Sequence, residues 1–456
     1  MMNRKLNQKL IRAFSFSLFL IFSAQTTFLF AQREITYDPY APKLKHPKAM
    51  DLKAAERRDH IQLFARILEQ PIRPVGYGIG RTAQWVEKEH LSQKTVWFFD
   101  KLSEHGVILQ PKMPTTGSLG AVGLETRIEL EKLFNWDQPY VSTALFAGWT
   151  PNKDFAGSTV DLGADYKIEI PKTRIFQEGV ASYSRSSAES FYGIGQDTSL
   201  GDYSTYQPEE TKLENFLGYR LTQTTDAATS FVYQKMNIGN GNRDRVGKIK
   251  EHFRAFPGIN GGDLIGVTSS LNHDNRDHKN DPKRGGYEGV GFSYYHDADE
   301  NNFQYFKVSA SASHYVPIFS DRRIFAVKVV GEKNQELGSG QIPFFNLARL
   351  GGSTVSSGSE LLRSFDFNRF LDQGLLVMNT EYRYNVYEYG DFAGDAFTLF
   401  DVGEVFKEFH DIEFKALKFS VGGGFNVKFR RYTFFSISIA RGNEGWRAGT
   451  HTKISF

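Results

Sequence analysis

Three residues of this 456-residue chain combine type and context in a way that suits a specific polar chemistry: Arg363, Glu381 and Asp401. Arg363 lies in Leu362-Arg363-Ser364-Phe365, downstream of Gly351-Gly352 and outside any alternating run. Glu381 lies in Glu381-Tyr382-Arg383-Tyr384, and Asp401 in Leu399-Phe400-Asp401-Val402-Gly403, both within strand-like segments. A planar guanidinium grips a carboxylate through two parallel hydrogen bonds. The chemistry on offer is therefore an ion pair between the guanidinium and a carboxylate, with no bond made or broken. On these residues alone, a solvated arginine and an unrelated aspartate remains an open reading.

Other candidate chemistry is weaker. His273, Asp274, Asp277 and His278 form a metal-like set, but they fall in an Asn/Asp/Lys-rich stretch where solvated turn residues are expected. Gly76-Tyr77-Gly78-Ile79-Gly80 is glycine-rich without a clear strand leading into it, so it reads as a turn rather than a phosphate cradle. No motif supports a hydrolase constellation, and the chain has no cysteine for a disulfide, thiolate site or thiol nucleophile. The expectation is a protein that is not an enzyme and that needs no cofactor and no metal. With 55 basic and 52 acidic residues scattered along it, the chain has no electrostatic footprint for nucleic acid.

The elements that must position these groups are strands. From about Leu119 to Phe456 the hydrophobic period is two. Leu162, Ala164, Tyr166, Ile168 and Ile170 alternate with Asp161, Gly163, Asp165, Lys167 and Glu169. Phe419, Val421, Phe425, Val427 and Phe429 alternate with a polar set, and Trp446, Ala448, Thr450, Thr452, Ile454 and Phe456 close the chain in the same manner. About sixteen such segments of roughly ten residues suit strands with an apolar exterior and a wet interior. The 40 Phe and 21 Tyr in a chain of mean hydropathy −0.41 fit that class. Open edges are not tolerated in hydrocarbon, so the sheet is expected to close. The fold class is all-β, a transmembrane antiparallel barrel spanning 116–456.

The first 31 residues read as a signal peptide: Arg4, Lys5, Lys9 and Arg12, an apolar run from Ala13 to Phe22, and Ala31 at the exit. Residues 32–115 read as an extended leader and then helices, over 51–70, 82–88 and 92–104, with Pro71 and Pro74 ending the first. They form a periplasmic segment.

The order of the late motifs resembles the BamA/TamA outer-membrane assembly superfamily, also called the bacterial surface antigen family. There a loop folds back into the barrel and its arginine meets an acidic residue on the inner wall. Leu362-Arg363-Ser364-Phe365 is similar to the family's Val-Arg-Gly-aromatic loop, with serine in place of glycine. Serine reaches glycine's left-handed backbone angles only at a cost of about 1–2 kcal/mol. Leu399-Phe400-Asp401-Val402-Gly403 resembles the wall motif Phe-x-Asp-x-Gly, and Glu381 stands where the family has a second wall carboxylate. Phe191-Tyr192-Gly193-Ile194-Gly195 and Asp274-Asn275-Arg276-Asp277 with Pro282 resemble two earlier family segments. Phe456 as last residue matches part of the family's terminal assembly signal.

The resemblance implies a loop anchor made of Arg363, Phe365, Glu381 and Asp401. It also implies a weakly zipped seam between the first and last strands, about Leu119–Leu130 and Trp446–Phe456. The protein would insert or translocate client polypeptides, or lipids, at the bacterial outer membrane. Its expected partners are outer-membrane lipids, client polypeptides and a periplasmic protein docked on the N-terminal helices, with the barrel a monomer. POTRA modules are βααββ units, and 32–115 shows no such pattern. A passive channel or transporter, or a surface-displayed antigen, are the alternatives.

Overall fold

A computed structural model describes residues 100–451, apart from 113–122, 136–139, 153–156, 242–245, 300–301, 353–358, 390–391, 414 and 430. The signal peptide, the helices over 51–70 and 82–88, the glycine-rich turn at 76–80 and Phe456 lie outside the described residues. Of the helix over 92–104, residues 100–104 are described, and they are helical.

Alternation becomes an antiparallel meander of sixteen strands: β1 Val107–Lys112, β2 Gly123–Glu129, β3 Val141–Asn152, β4 Gly157–Glu169, β5 Ile175–Ser186, β6 Ser204–Arg220, β7 Thr225–Asn240 and β8 Gly261–Asp274, followed by β9 Gly285–Asp297, β10 Gln304–Ile318, β11 Ser320–Glu336, β12 Gly374–Tyr389, β13 Phe392–Phe406, β14 Lys418–Phe429, β15 Tyr432–Gly442 and β16 Gly445–His451. Two further pieces, Glu189–Phe191 and Gly247–Lys248, pair onto the start of β6 and complete an 18-stranded sheet. The first strand, β1, lies upstream of residue 116, where the alternation had put the barrel's start. Its Pro111 and short length hide it from a period-two reading, yet it pairs with β2 along its whole length.

Each strand joins its neighbour in sequence, so the meander starts and finishes at the same end. Turns at that end are mostly short, such as 170–174, 221–224 and the single residue Phe319 between β10 and β11. The opposite end carries long loops, 187–203, 241–260 and 337–373. Contrary to the expected closure, β1 and β16 are not paired with each other among the described residues, and the sheet is not closed.

The two faces differ as period two demands. On β7, Ser230, Val232, Gln234, Met236 and Ile238 are buried, while Phe231 between them is 69% exposed. Leu145, Leu162, Leu213, Leu217, Ile265, Phe292, Val421 and Ile439 share that outer face and are exposed as well. So large an apolar surface is stable against lipid and not against water.

Around the long loop the inner face departs from the wet interior expected. Loops from the long-loop end fold back onto it and pack an aromatic plug: Phe344, Phe345 and Leu347 of the long loop meet Phe191, Tyr206, Met236, Ile249 and Tyr305. Phe191 and Phe344 stand edge to face at 5.2 Å. The long loop is stiffened by its own small sheet, with Ala348–Leu350 between Ser359–Glu360 and Phe370–Asp372. Gly351 follows this piece at φ +128°, and a Cβ there would lie 2.4 Å from the Asp366 carbonyl oxygen, so only glycine lets the loop cross itself here.

A Phe231→Arg substitution places a charge on the lipid face at mid-strand. It is expected to lower the unfolding free energy by about 2–4 kcal/mol, read by urea titration of the protein in bilayers.

Candidate functional site

Residues 361–372 lie against the inner faces of β12, β13 and β14. Leu362, Phe365 and Phe370 dock into an apolar patch made by Val330 of β11, Leu375 and Val377 of β12 and Val405 of β13. The Phe365 and Phe370 rings meet edge on at 5.3 Å. This packing brings the Arg363 backbone to the wall and leaves its side chain 1% exposed.

Arg363 Nε donates to Asp401 Oδ2 at 2.9 Å and Nη2 to Oδ1 at 2.6 Å, the two-pronged geometry of a guanidinium on a carboxylate. The Arg363 backbone N–H adds a third bond to Oδ2 at 3.0 Å. Nη1 donates to Glu381 Oε1. The other oxygen of Glu381 accepts from Arg383 Nε at 2.7 Å, and Asn379 Nδ2 ties Asp401 to the Leu361 carbonyl at 2.9 and 3.1 Å. Asn379, Glu381 and Arg383 are successive inward positions of β12, all at most 2% exposed. Two guanidinium groups and two carboxylates therefore form a neutral, buried cluster. Its geometry can hold and orient a loop, and it offers no acid, base or nucleophile to a substrate.

Ser364 is not among the residues with positive φ, so the strain expected of a serine in the glycine position is absent. The tip is built differently. Ser364 N–H donates to Ser420 Oγ at 2.9 Å, and the two hydroxyls lie 2.7 Å apart. The space comes from Gly442 of β15, where a Cβ would stand 2.1 Å from Ser364 Oγ and 2.4 Å from the Phe419 carbonyl oxygen.

Of the residues expected at the site, the structure brings together Arg363, Phe365, Glu381 and Asp401, and Phe456 falls outside the described residues. The Phe191–Asp197 segment, read as a separate motif, joins the same loop: Gly195 N–H donates to the Leu371 carbonyl at 2.7 Å and Gln196 Oε1 accepts from Val405 N–H at 3.0 Å. Of the set His273, Asp274, Asp277 and His278, His273 lies on β8 with its Nδ1 2.9 Å from Thr225 Oγ1 of β7, and the other three are engaged within the turn. Asp274 holds Arg276 at 2.9 Å, Asp277 accepts from the Lys283 N–H, and His278 accepts from Asp281 N–H. That turn reaches inward too, where Asp281 and Asp395 of β13 enclose Lys428 of β14. Asn379, Arg383, Ser420 and Gly442 were not anticipated. The signal for the first two was present, as i−2 and i+2 neighbours of Glu381 on one face.

A many-stranded antiparallel sheet with an apolar outer face and a long loop packed on its inner face defines a class of membrane protein. The Omp85 superfamily domain matches residues 152–433, more than half of the chain. This chain belongs to the Omp85 superfamily of outer-membrane barrels, and no POTRA unit is present among the described residues. No curated protein sequence matches it. Among solved structures it is similar to BamA from Haemophilus ducreyi lacking POTRA domains 1–3, at 13% identity and a TM-score of 0.50 over 76% of this chain and 69% of that one. It is also similar to CdiB from Escherichia coli, at 12% identity and a TM-score of 0.50 over 76% of this chain and 62% of that one. The chain thus spans just over two thirds of the first and less than two thirds of the second; at such identities the likeness is one of fold.

Removing one member of a buried ion pair strands the other. Arg363→Ala and Asp401→Ala are each expected to cost about 3–5 kcal/mol in denaturant unfolding, and the double variant less than the sum of the two. Arg363→Lys is expected to recover little, because an ammonium cannot bridge two carboxylates with the same planar fork.

Proposed function

We propose that this protein inserts or translocates client polypeptides at the bacterial outer membrane, with lipids as the second client class, and that its lumen loop is held in working position by the Arg363–Asp401–Glu381 anchor. The observation that carries this reading is the complete burial of Arg363 between two wall carboxylates, each of which accepts from more than one donor. A passive pore has no use for such an anchor, and the aromatic plug around Phe344 narrows the route that a pore needs. The unpaired edges of β1 and β16 among the described residues offer backbone groups to which a client strand adds. Nucleotide and metal are not required, since folding and burial of the client supply the free energy. The protein works as a monomer in a ring of outer-membrane lipid. The N-terminal helices upstream of β1 dock a periplasmic partner, and the short-turn end faces the periplasm, as in bacterial outer-membrane barrels generally.

Quantitative proteomics of outer membranes after depletion tests the reading. Concerted loss of many barrels is the result expected of a general insertase, and loss of one or a few surface proteins that of a dedicated translocator. Unchanged protein composition would remove protein clients from the account. In the same assay Arg363→Ala is expected to mimic depletion and to expose the loop to trypsin; full activity with intact trypsin resistance would count against the anchor.

A further inference from the structure

The lumen loop makes a second set of contacts, directed at the last hairpin of the sheet. Arg369, 2% exposed, donates from Nε to both carboxylate oxygens of Glu444 at 3.0 and 3.1 Å, and its Nη2 lies 2.8 Å from Glu444 Oε1. The other edge of the same guanidinium donates to the hydroxyl and carbonyl of Thr198, both at 2.6 Å. Its plane lies 4.8 Å from the ring of Tyr192 and 4.6 Å from that of Phe370. Three residues earlier, Asp366 accepts from the Tyr192 hydroxyl at 2.8 Å and pairs with Arg447 of β16. Ser364 and Phe365 press on Gly442 of β15, where a Cβ would meet both side chains. Residues 364–369 thus hold β15, the 443–444 turn and β16 together.

These contacts fall where the sheet itself holds least. An inner strand is fixed by ladders on both sides, whereas β16 pairs only with β15 among the described residues. A strand with one ladder opens at a lower free energy than its neighbours, so side-chain contacts weigh more in its order. Gly445 at φ +113° makes the connecting turn tight, so a pull on Glu444 is passed to both strands of the hairpin.

We propose that Arg369 and Asp366 are positioning residues that couple the seating of the lumen loop to the order of the terminal strand, so that releasing the loop loosens the free edge of β16. The device deepens the assembly reading, and rests on it for the statement that the edge is where a client strand pairs. Arg363 and Asp401 hold the loop to the wall. Arg369 and Asp366 transmit that position to the edge.

Hydrogen–deuterium exchange of the full chain in lipid nanodiscs reads the amides of 445–451 directly. Arg369→Glu sets two carboxylates together, and exchange in β16 is expected to rise about tenfold or more with β8 unchanged. Arg369→Glu combined with Glu444→Arg restores the opposite-charge pair and is expected to return exchange toward the parent value; Asp366→Arg with Arg447→Asp tests the second pair likewise. If the reversal prevents assembly of the barrel itself, Arg369→Gln removes the charge without opposing it, with the same direction expected. Faster exchange confined to residues 363–372, with β16 unmoved, overturns the proposal, as does failure of both swapped pairs to restore it. No client takes part in this measurement. Loosening of β16 in a protein whose depletion leaves outer-membrane composition unchanged would uphold the coupling and sink the assembly reading, and the reverse pair of results would do the opposite.

Discussion

The interior of this barrel is organised around one costly interaction, the burial of Arg363 with Asp401, Glu381 and Arg383. Taking these ions out of water carries a penalty of several kcal/mol each, and replacing such a group by well-packed apolar residues is often neutral or stabilising. The cluster is therefore a poor device for stability and a good one for geometry. Each oxygen that accepts a second donor removes a way for the loop to sit elsewhere. Asn379 shows this, since it spends its amide on both Asp401 and the Leu361 carbonyl. A loop as long as 337–373 has many ways to rest on an apolar wall, and Phe365 and Phe370 alone would tolerate slippage. In the proposed function, the ionic group selects one of them.

Once that position is set, the rest of the lumen follows in sequence along the loop. Upstream, Phe344 and Phe345 are packed with Phe191 and Tyr305 near the long-loop end. Downstream, Phe370–Asp372 completes the small sheet with Ala348–Leu350 and returns the chain to β12. At the short-turn end a separate charged group, Lys428 between Asp281 and Asp395, draws the 275–284 turn inward. The two ionic groups lie on adjacent strands, the first on β12 and β13 and the second on β13 and β14, and leave β1 to β5 free of both.

What could be read from the sequence was whatever depends on neighbours along the chain. Period two is local, so the strands, their outward faces and their approximate number were legible. The pairing of Arg363 with Asp401 was legible only because the order of motifs resembled a known family; on residue types alone an unrelated surface arginine remained open. The contacts that surprised all join distant segments. Arg369 meets Thr198 and Glu444 across separations of 171 and 75 residues. Pro343-Phe344-Phe345 carries no period, although its neighbours Ile342 and Leu347 make an apolar run that hints at burial. β1 shows the opposite case, because six residues with a proline next to the last are too few to establish alternation.

The same pairing chemistry appears elsewhere in the barrel and shows that a motif alone does not make an anchor. Arg127 of β2 grips Asp165 of β4 through two bonds of 2.6 and 2.7 Å, a geometry as good as that of Arg363 on Asp401. Its side chains are 36% and 29% exposed, whereas those of Arg363 and Asp401 are fully buried. A pair so open to water is worth about 0–1 kcal/mol, and either partner can leave with little penalty. In the buried pair neither can leave without stranding the other. Lys167 and Glu178, 42% and 39% exposed, repeat the open arrangement one strand further on. The lumen is thus divided by solvation: a hydrated wall whose ion pairs exchange readily, and a dry wall whose ion pairs hold a loop. An ion pair on the hydrated wall can be broken at little cost. The dry wall, which carries the terminal hairpin, must break its ionic contacts before it can move.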